Sequence, residues 1–196
     1  MSKRSTEPAR SGPRVETGTS AGSPEDVETL GPDADPESVA RTILLDQLTG
    51  RARSRTELAD KLRQRNVPDE IAARLLDRFE EVGLVDDAAF AHAWVSGRHS
   101  AKGLAPRALA QELRRKGVDD DVAREALDRV DDDQQEATAR SLVRKKLRSL
   151  ERFDEATQTR RLVGMLARKG YPPGLAFRVV RDEVGAADDD VVSPLD

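Results

Sequence analysis

A pair of leucines four residues apart, a residue suited to a left-handed turn four positions later, and an apolar residue directly after it occur three times in this chain. The copies are Leu58, Leu62, Asn66 and Val67; Leu109, Leu113, Gly117 and Val118; and Leu162, Leu166, Gly170 and Tyr171, offset by 51 and then 53 residues. Residues four apart share one face of a helix, so each leucine pair marks a buried stripe. Glycine ends such a helix by adopting the left-handed conformation. Asparagine enters that conformation more readily than most other side chains, so the cap survives in the first copy. A pattern that returns at a fixed period of about fifty residues narrows the possible folds to a repeat array.

The register continues past each cap. Ile71, Val122 and Leu175 fall four residues after Val67, Val118 and Tyr171, and Leu75 with Leu76, Ala126 with Leu127, and Val179 with Val180 four and five beyond those. Pro68, Asp119 and Pro172 hold the equivalent helix-start position, where a proline or an acid is favourable. Upstream of each leucine pair lies another periodic segment: Val39, Ile43, Leu44 and Leu48; Phe90, Trp94 and Val95; Leu142, Val143, Leu147 and Leu150. The spacing predicts nine helices in three tandem three-helix repeats, over residues 37–85, 86–132 and 133–185. Glu183 departs from the pattern by standing where Phe79 and Val130 stand, with Val184 beside it to take over the burial. A lone unit of this size has little core, and stacking neighbours supplies the missing apolar area. With helices of about twelve residues, each about 18 Å long, three units side by side are expected to form an elongated, curved body.

Composition supports an all-α reading, with 36% charged residues, one Trp, one Tyr and four Phe. The net charge of −4 hides a segregation along the chain. Residues 1–36 hold four bases and seven acids among Ser, Gly and Pro, without periodicity, and are expected to be disordered. Residues 186–196 hold four acids and no base and are expected to fray. Between them, Arg140 to Arg181 carries twelve bases against three acids, a field that attracts a polyanion or an acidic protein face. With no cysteine, neither a disulfide framework nor a thiolate metal site is available. Neither a membrane span nor a signal peptide is legible, and a cytoplasmic location is expected.

Catalytic patterns are missing. His92 and His99 lack a Cys or a second close His to complete a metal set. The acid runs Asp119–Asp121 and Asp131–Asp133 sit at helix starts, without the alternating oxygen ligands and central glycine of a divalent-metal loop. No phosphate loop, dinucleotide fingerprint or nucleophile elbow occurs. Phe90 and Trp94 stand at helical spacing beside Ala91 and Val95, which favours packing over base stacking. A non-enzymatic protein without cofactor or metal is expected.

Gly83 to Val118 holds the densest set of signals. Gly83 closes one helix, Asp86 and Asp87 suit the start of the next, and a basic break with Gly97, Arg98, Lys102 and Gly103 ends it. Pro106 opens a further helix that stops at Arg115, Lys116 and Gly117. The elements GLVDD, FAxxxV, Arg98, KGxxPRxLxxEL and KG stand in order over about thirty-five residues. In this stretch the chain resembles the RecX family of bacterial regulatory proteins, and with the repeats the resemblance covers Glu37 to Gly185.

The resemblance implies tandem three-helix units and a partner, the RecA nucleoprotein filament of protein and single-stranded DNA. It further implies hindered filament growth, promoted disassembly, and lowered recombinase, ATPase and co-protease activity in DNA repair and the SOS response. From the residues themselves, the candidate partner-binding groups are Arg98, Lys102, Arg107, Arg114, Arg115 and Lys116 in the second copy. In the third they are Arg144, Lys145, Lys146, Arg148, Arg160, Arg161, Arg168 and Lys169, with the last four expected near the run 144–148. Such side chains form charge-assisted bonds to carboxylates or phosphates. Two alternatives stay open: a helix-turn-helix-like module binding duplex DNA without RecA, and a scaffold that binds only protein. Weak direct DNA binding and a monomeric state are also expected.

Overall fold

A computed structural model describes residues 35–192 of the chain. Among them all regular structure is helical: α1 Pro36–Thr49, α2 Arg55–Gln64, α3 Asp69–Glu81, α4 Asp87–Lys102, α5 Pro106–Arg115, α6 Asp120–Leu127, α7 Asp132–Leu147, α8 Glu155–Arg168 and α9 Pro173–Val192. The main helix-to-helix packing lies within three successive triads, with the first and third helix of each in contact and the middle helix packed against both. The N-terminal segment read as disordered falls, up to residue 34, outside the described residues.

The helix starts follow from short polar side chains that accept orphaned backbone N–H groups, each worth about 1 kcal/mol. Asp86 accepts from the Ala89 N–H at 2.8 Å, Asp131 from Gln134 at 2.7 Å and Asp154 from Thr157 at 2.9 Å. Ser54 and Glu57 form a reciprocal capping box on α2. The expected left-handed caps are present at Asn66 (φ 57°), Gly83 (φ 71°), Gly117 (φ 71°) and Gly170 (φ 89°).

All six leucines of the repeated pairs are fully buried. Each contributes about 1.5–3 kcal/mol of transfer free energy. Ile43, Leu44, Leu75, Leu76 and Phe79 close the first core, Phe90, Ala91, Val95 and Ala126 the second, and Val143, Leu150, Val179, Val180 and Val184 the third. Val184 does take the buried place beside Glu183.

Two helix ends differ from the sequence reading. Gly97 lies inside α4, which continues to Lys102 and stops only at left-handed Gly103. One interior glycine costs about 1 kcal/mol, less than the packing of Phe90, Ala91 and Val95 on the same helix returns. Likewise α9 passes through Gly185 and runs to Val192, into the acidic segment assigned to the tail, while residues 193–196 lie outside the described residues.

The units are joined by one recurring contact: the first turn of a middle helix meets the C-terminal cap of the next unit's middle helix. Between the first and second units, the Ser54 hydroxyl donates to the Lys116 carbonyl at 2.6 Å and the Thr56 hydroxyl to the Gly117 carbonyl at 3.1 Å. Between the second and third, the Ala105 N–H donates to the Lys169 carbonyl at 2.9 Å, and the Tyr171 hydroxyl to the Gly103 carbonyl at 3.2 Å. Carbonyls at the C-termini of α5 and α8 are thereby satisfied by the preceding unit, and the Gly103 carbonyl at the end of α4 by the following one. The approach is close enough to require glycine. A Cβ on Gly117 would stand 2.2 Å from Thr56 Oγ1, and one on Gly170 would stand 2.6 Å from the Ala108 backbone nitrogen.

Candidate functional site

Three helix C-terminal ends converge where the second and third units meet. The last turn of α4 brings Lys102, the last turn of α7 Lys145 and Lys146, and the cap of α8 Lys169. These lysines line a cleft of about 660 Å³ with Gly103, Leu104, Thr138, Ser141, Leu142 and Met165, and no carboxylate takes part. Lys146 and Met165 are shared with an adjoining groove of about 400 Å³ lined by Leu150, Arg160, Arg161, Gly164 and Arg168. A helix C-terminus carries about half an elementary negative charge. One or two lysines at each end outweigh it, so the track is positive throughout.

The walls are fixed from both units. His99 on α4 holds the Leu104 carbonyl at 2.9 Å through Nδ1 and the Thr138 hydroxyl on α7 at 3.0 Å through Nε2. The Lys169 ammonium donates to the Lys102 carbonyl. The Tyr171 hydroxyl is pushed up to about 12 by burial and so stays a neutral donor. Arg161 lies over the Phe153 ring, 3.9 Å from its centroid, which holds the guanidinium at the groove edge. The floor is aliphatic, with Leu142, Leu104 and Met165, and presents no aromatic face for base stacking. Such a cleft is suited to an extended polyanion recognised by charge.

Seven of the fourteen basic residues singled out from sequence thus share one track: Lys102, Lys145, Lys146, Arg160, Arg161, Arg168 and Lys169. Others are engaged inside the protein. Arg98 pairs with Glu112 at 3.2 Å and lies 4.3 Å from the centroid of Trp94. Lys116 pairs with Glu57 at 2.7 Å and stands 4.2 Å from the same ring, whose indole N–H donates to Glu112 at 2.9 Å. Arg114 pairs with Asp120 at 3.1 Å. Arg144 points away from its neighbours Lys145 and Lys146 and donates twice to Glu183, at 2.6 and 3.0 Å.

That pairing explains the departure at Glu183, which is buried with Arg140 and Arg144 as counter-ions. Hydrogen bonding from Arg144, with a smaller contribution from Arg140, holds its carboxyl below the usual range despite burial. Arg107 lines a different cleft of about 710 Å³ with Asp128, Asp131 and Asp132, so Arg98, Lys102 and Arg107 part three ways. Arg115 and Arg148 are exposed and lie outside both stretches of the track.

Thr138, Ser141, Leu142 and Met165 were not anticipated as cleft walls. Their signal was available, because residues 138, 141, 142 and 145 share a face of α7. No cluster of His, Cys, Asp or Glu suited to a metal ion occurs among the described residues, and none of their helices is long and apolar enough to cross a membrane.

Comparison with known proteins adds three matches to family models: the first three-helix domain of RecX over residues 40–79, the second over 86–127 and the third over 132–180. A protein of Thermobifida fusca named "Regulatory protein RecX" is 51% identical over 167 residues, covering 84% of this chain and 90% of its own. Its namesake in Streptomyces lividans is 52% identical over 159 residues, covering 81% and 85%. The crystal structure of RecX from Lactobacillus salivarius superposes with a TM-score of 0.70 at 21% identity, over 76% of this chain and 97% of that one, and so supports the fold.

Proposed function

The chain belongs to the RecX family of regulatory proteins, and on that premise we propose that it binds the RecA nucleoprotein filament through the cationic track between its second and third units. The observation that carries this reading is the gathering of seven bases on one surface with no carboxylate among its lining. A helical filament of protein and single-stranded DNA offers carboxylates and phosphates in regular array, and lysines and arginines held by rigid helices meet either. On this reading the protein is a monomeric, non-catalytic, cytoplasmic regulator that restrains filament growth. It lowers ATP hydrolysis, strand exchange and co-protease activity.

The test is RecA-dependent ATP hydrolysis on single-stranded DNA titrated with this protein, run beside binding to bare duplex DNA. Stoichiometric inhibition, weakened by Lys145→Glu with Lys146→Glu, is expected. Hydrolysis unchanged at every ratio, with tight duplex binding in the absence of RecA, would replace this reading with that of an independent DNA-binding module.

A further inference from the structure

The seam between the second and third units carries another cleft, of opposite sign to the track. This is the one that Arg107 enters, walled by Leu127, Val130 and three prolines, Pro106, Pro172 and Pro173, with Asp128, Asp131 and Asp132 beside them. Proline has no N–H, so these three walls offer no hydrogen-bond donor. Neighbouring acids are already satisfied: Asp120 pairs with Arg114, Asp121 with Arg124, and Glu136 with Arg140 and Arg178. Asp128, Asp131 and Asp132 form no ion pair among the described residues, and Arg107, which shares the cleft, pairs with none of them.

Two observations separate this cleft from a row of helix-capping acids. Asp131 accepts from the Gln134 N–H and so caps α7, but Asp128 stands at the C-terminal end of α6, where the helix carries negative partial charge and an acid is unfavourable. Gln135, only 7% exposed, lines the cleft. Its amide donates to Asp132 at 3.5 Å, whereas its carbonyl oxygen accepts no hydrogen bond among the described residues. A buried acceptor left in this way calls for a donor. The starts of α5, α7 and α9 border the cleft, each with about half a positive charge, and with Arg107 they offset all but about one unit of the negative charge from the three carboxylates and the end of α6. That surplus matches a single cation.

We propose that this cleft receives an arginine side chain of a protein partner. The aliphatic stem lies along Leu127, Val130 and the prolines, as long basic side chains do on apolar surface, and the guanidinium donates to Asp128, Asp132 and the Gln135 oxygen. Arginine suits the site better than lysine, because five donors in a planar fork serve several acceptors at once. Asp132 and Lys146 lie about 21 Å apart along α7, so the acidic cleft and the cationic track stand toward opposite ends of one helix. A partner that offers an arginine to one and acidic groups to the other is held in a single direction. That last consequence rests on the reading of the track; the cleft itself does not.

Titration of the full-length, nitrogen-15-labelled protein with the peptide acetyl-Leu-Arg-Leu-amide, followed by NMR, tests this. Saturable shifts are expected at the Gln135 side-chain amide and at the backbone amides of Arg107, Val130 and Gly170. Replacing the peptide's arginine with citrulline, which keeps the shape and loses the charge, is expected to weaken binding at least fivefold. Asp128→Asn combined with Asp132→Asn, which leaves the Asp131 cap in place, is expected to do the same. Absence of a saturable shift at Gln135, or equal affinity for the two peptides, would overturn the proposal. So would concentration-dependent broadening of these amides in the protein alone that the double variant removes, which would assign the cleft to a second copy of the chain. The probe contains neither RecA nor DNA, so failure here leaves the reading of the track standing.

Discussion

The two junctions of the array share a geometry and differ in chemistry. Between the second and third units, the bond from Ala105 to the Lys169 carbonyl is backbone to backbone, and Ala105 itself is buried in the third unit's core. The Tyr171 hydroxyl closes the same seam from a buried position. Between the first and second units, the bonds are made by the Ser54 and Thr56 hydroxyls and by the Glu57–Lys116 ion pair, with Asp87 accepting from the Arg55 amide. One seam adds burial and a main-chain bond to the side-chain bonds of Tyr171, Lys169, and His99 with Thr138. The other is held by side chains and charge. The cationic track sits on the first kind, between the second and third units.

The sharpest way to break this contrast is at the glycines. Gly170→Ala brings a methyl group against the Ala108 backbone and forces a left-handed alanine, two costs that together reach about 3 kcal/mol. Urea unfolding should register a loss of that size, with disruption spreading from the junction into the third core. A loss under about 1 kcal/mol would show that the seam gives easily. Next in size are the hydroxyls. Tyr171→Phe leaves the Gly103 carbonyl short of a buried donor and should cost about 1–3 kcal/mol. Ser54→Ala removes both a helix cap and the bond to Lys116, for about 1–2 kcal/mol confined to the first unit. Equal and global effects from both would erase the distinction.

The smallest effect is the response to pH. Burial acts to raise the Glu57 carboxyl, but the Lys116 hydrogen bond and charge outweigh it and leave it lowered. Asp87 is raised, chiefly by burial, against the bond from Arg55. A lowered carboxylate stabilises above its unfolded value, and that contribution fades as pH falls through the folded one; a raised carboxylate does the reverse. The two therefore oppose each other at the first junction. In the third unit Glu136, Asp182 and Glu183 are all lowered, each chiefly by hydrogen bonds from arginine. Acid below the ordinary carboxylate range should accordingly loosen the α7–α9 contact before the first junction. Hydrogen exchange at pH 3 against pH 7 reads the order, and the opposite order would count against the assignment.

The fold was readable because the leucine and cap positions recur in register, and burial then follows from spacing alone. The caps at Asn66, Gly117 and Gly170 were readable for the same reason. The track was only half readable. Lys145 and Lys146 adjoin Arg144 in sequence, yet about 100° of helical rotation per residue turns Arg144 to Glu183. Glu183 in turn looked like a lapse in an apolar pattern. Lys116 reads as a surface base until Trp94 and Glu57, far apart in the chain, are brought against it. Helical phase is local information, whereas an ion pair across a junction is not. The role of glycine at the second and third caps also needed the structure, since the collision with Thr56 or Ala108 involves residues 61 and 62 positions away.

The most direct measurement is the affinity of labelled protein for a preformed RecA filament on single-stranded DNA, for the wild type and for Lys145→Glu with Lys146→Glu. Lys145 and Lys146 are both exposed and take no part in the cores. Binding should weaken at least tenfold while the melting transition stays in place. Undiminished affinity in a fully folded variant would contradict the assignment of the track as the surface that meets the filament.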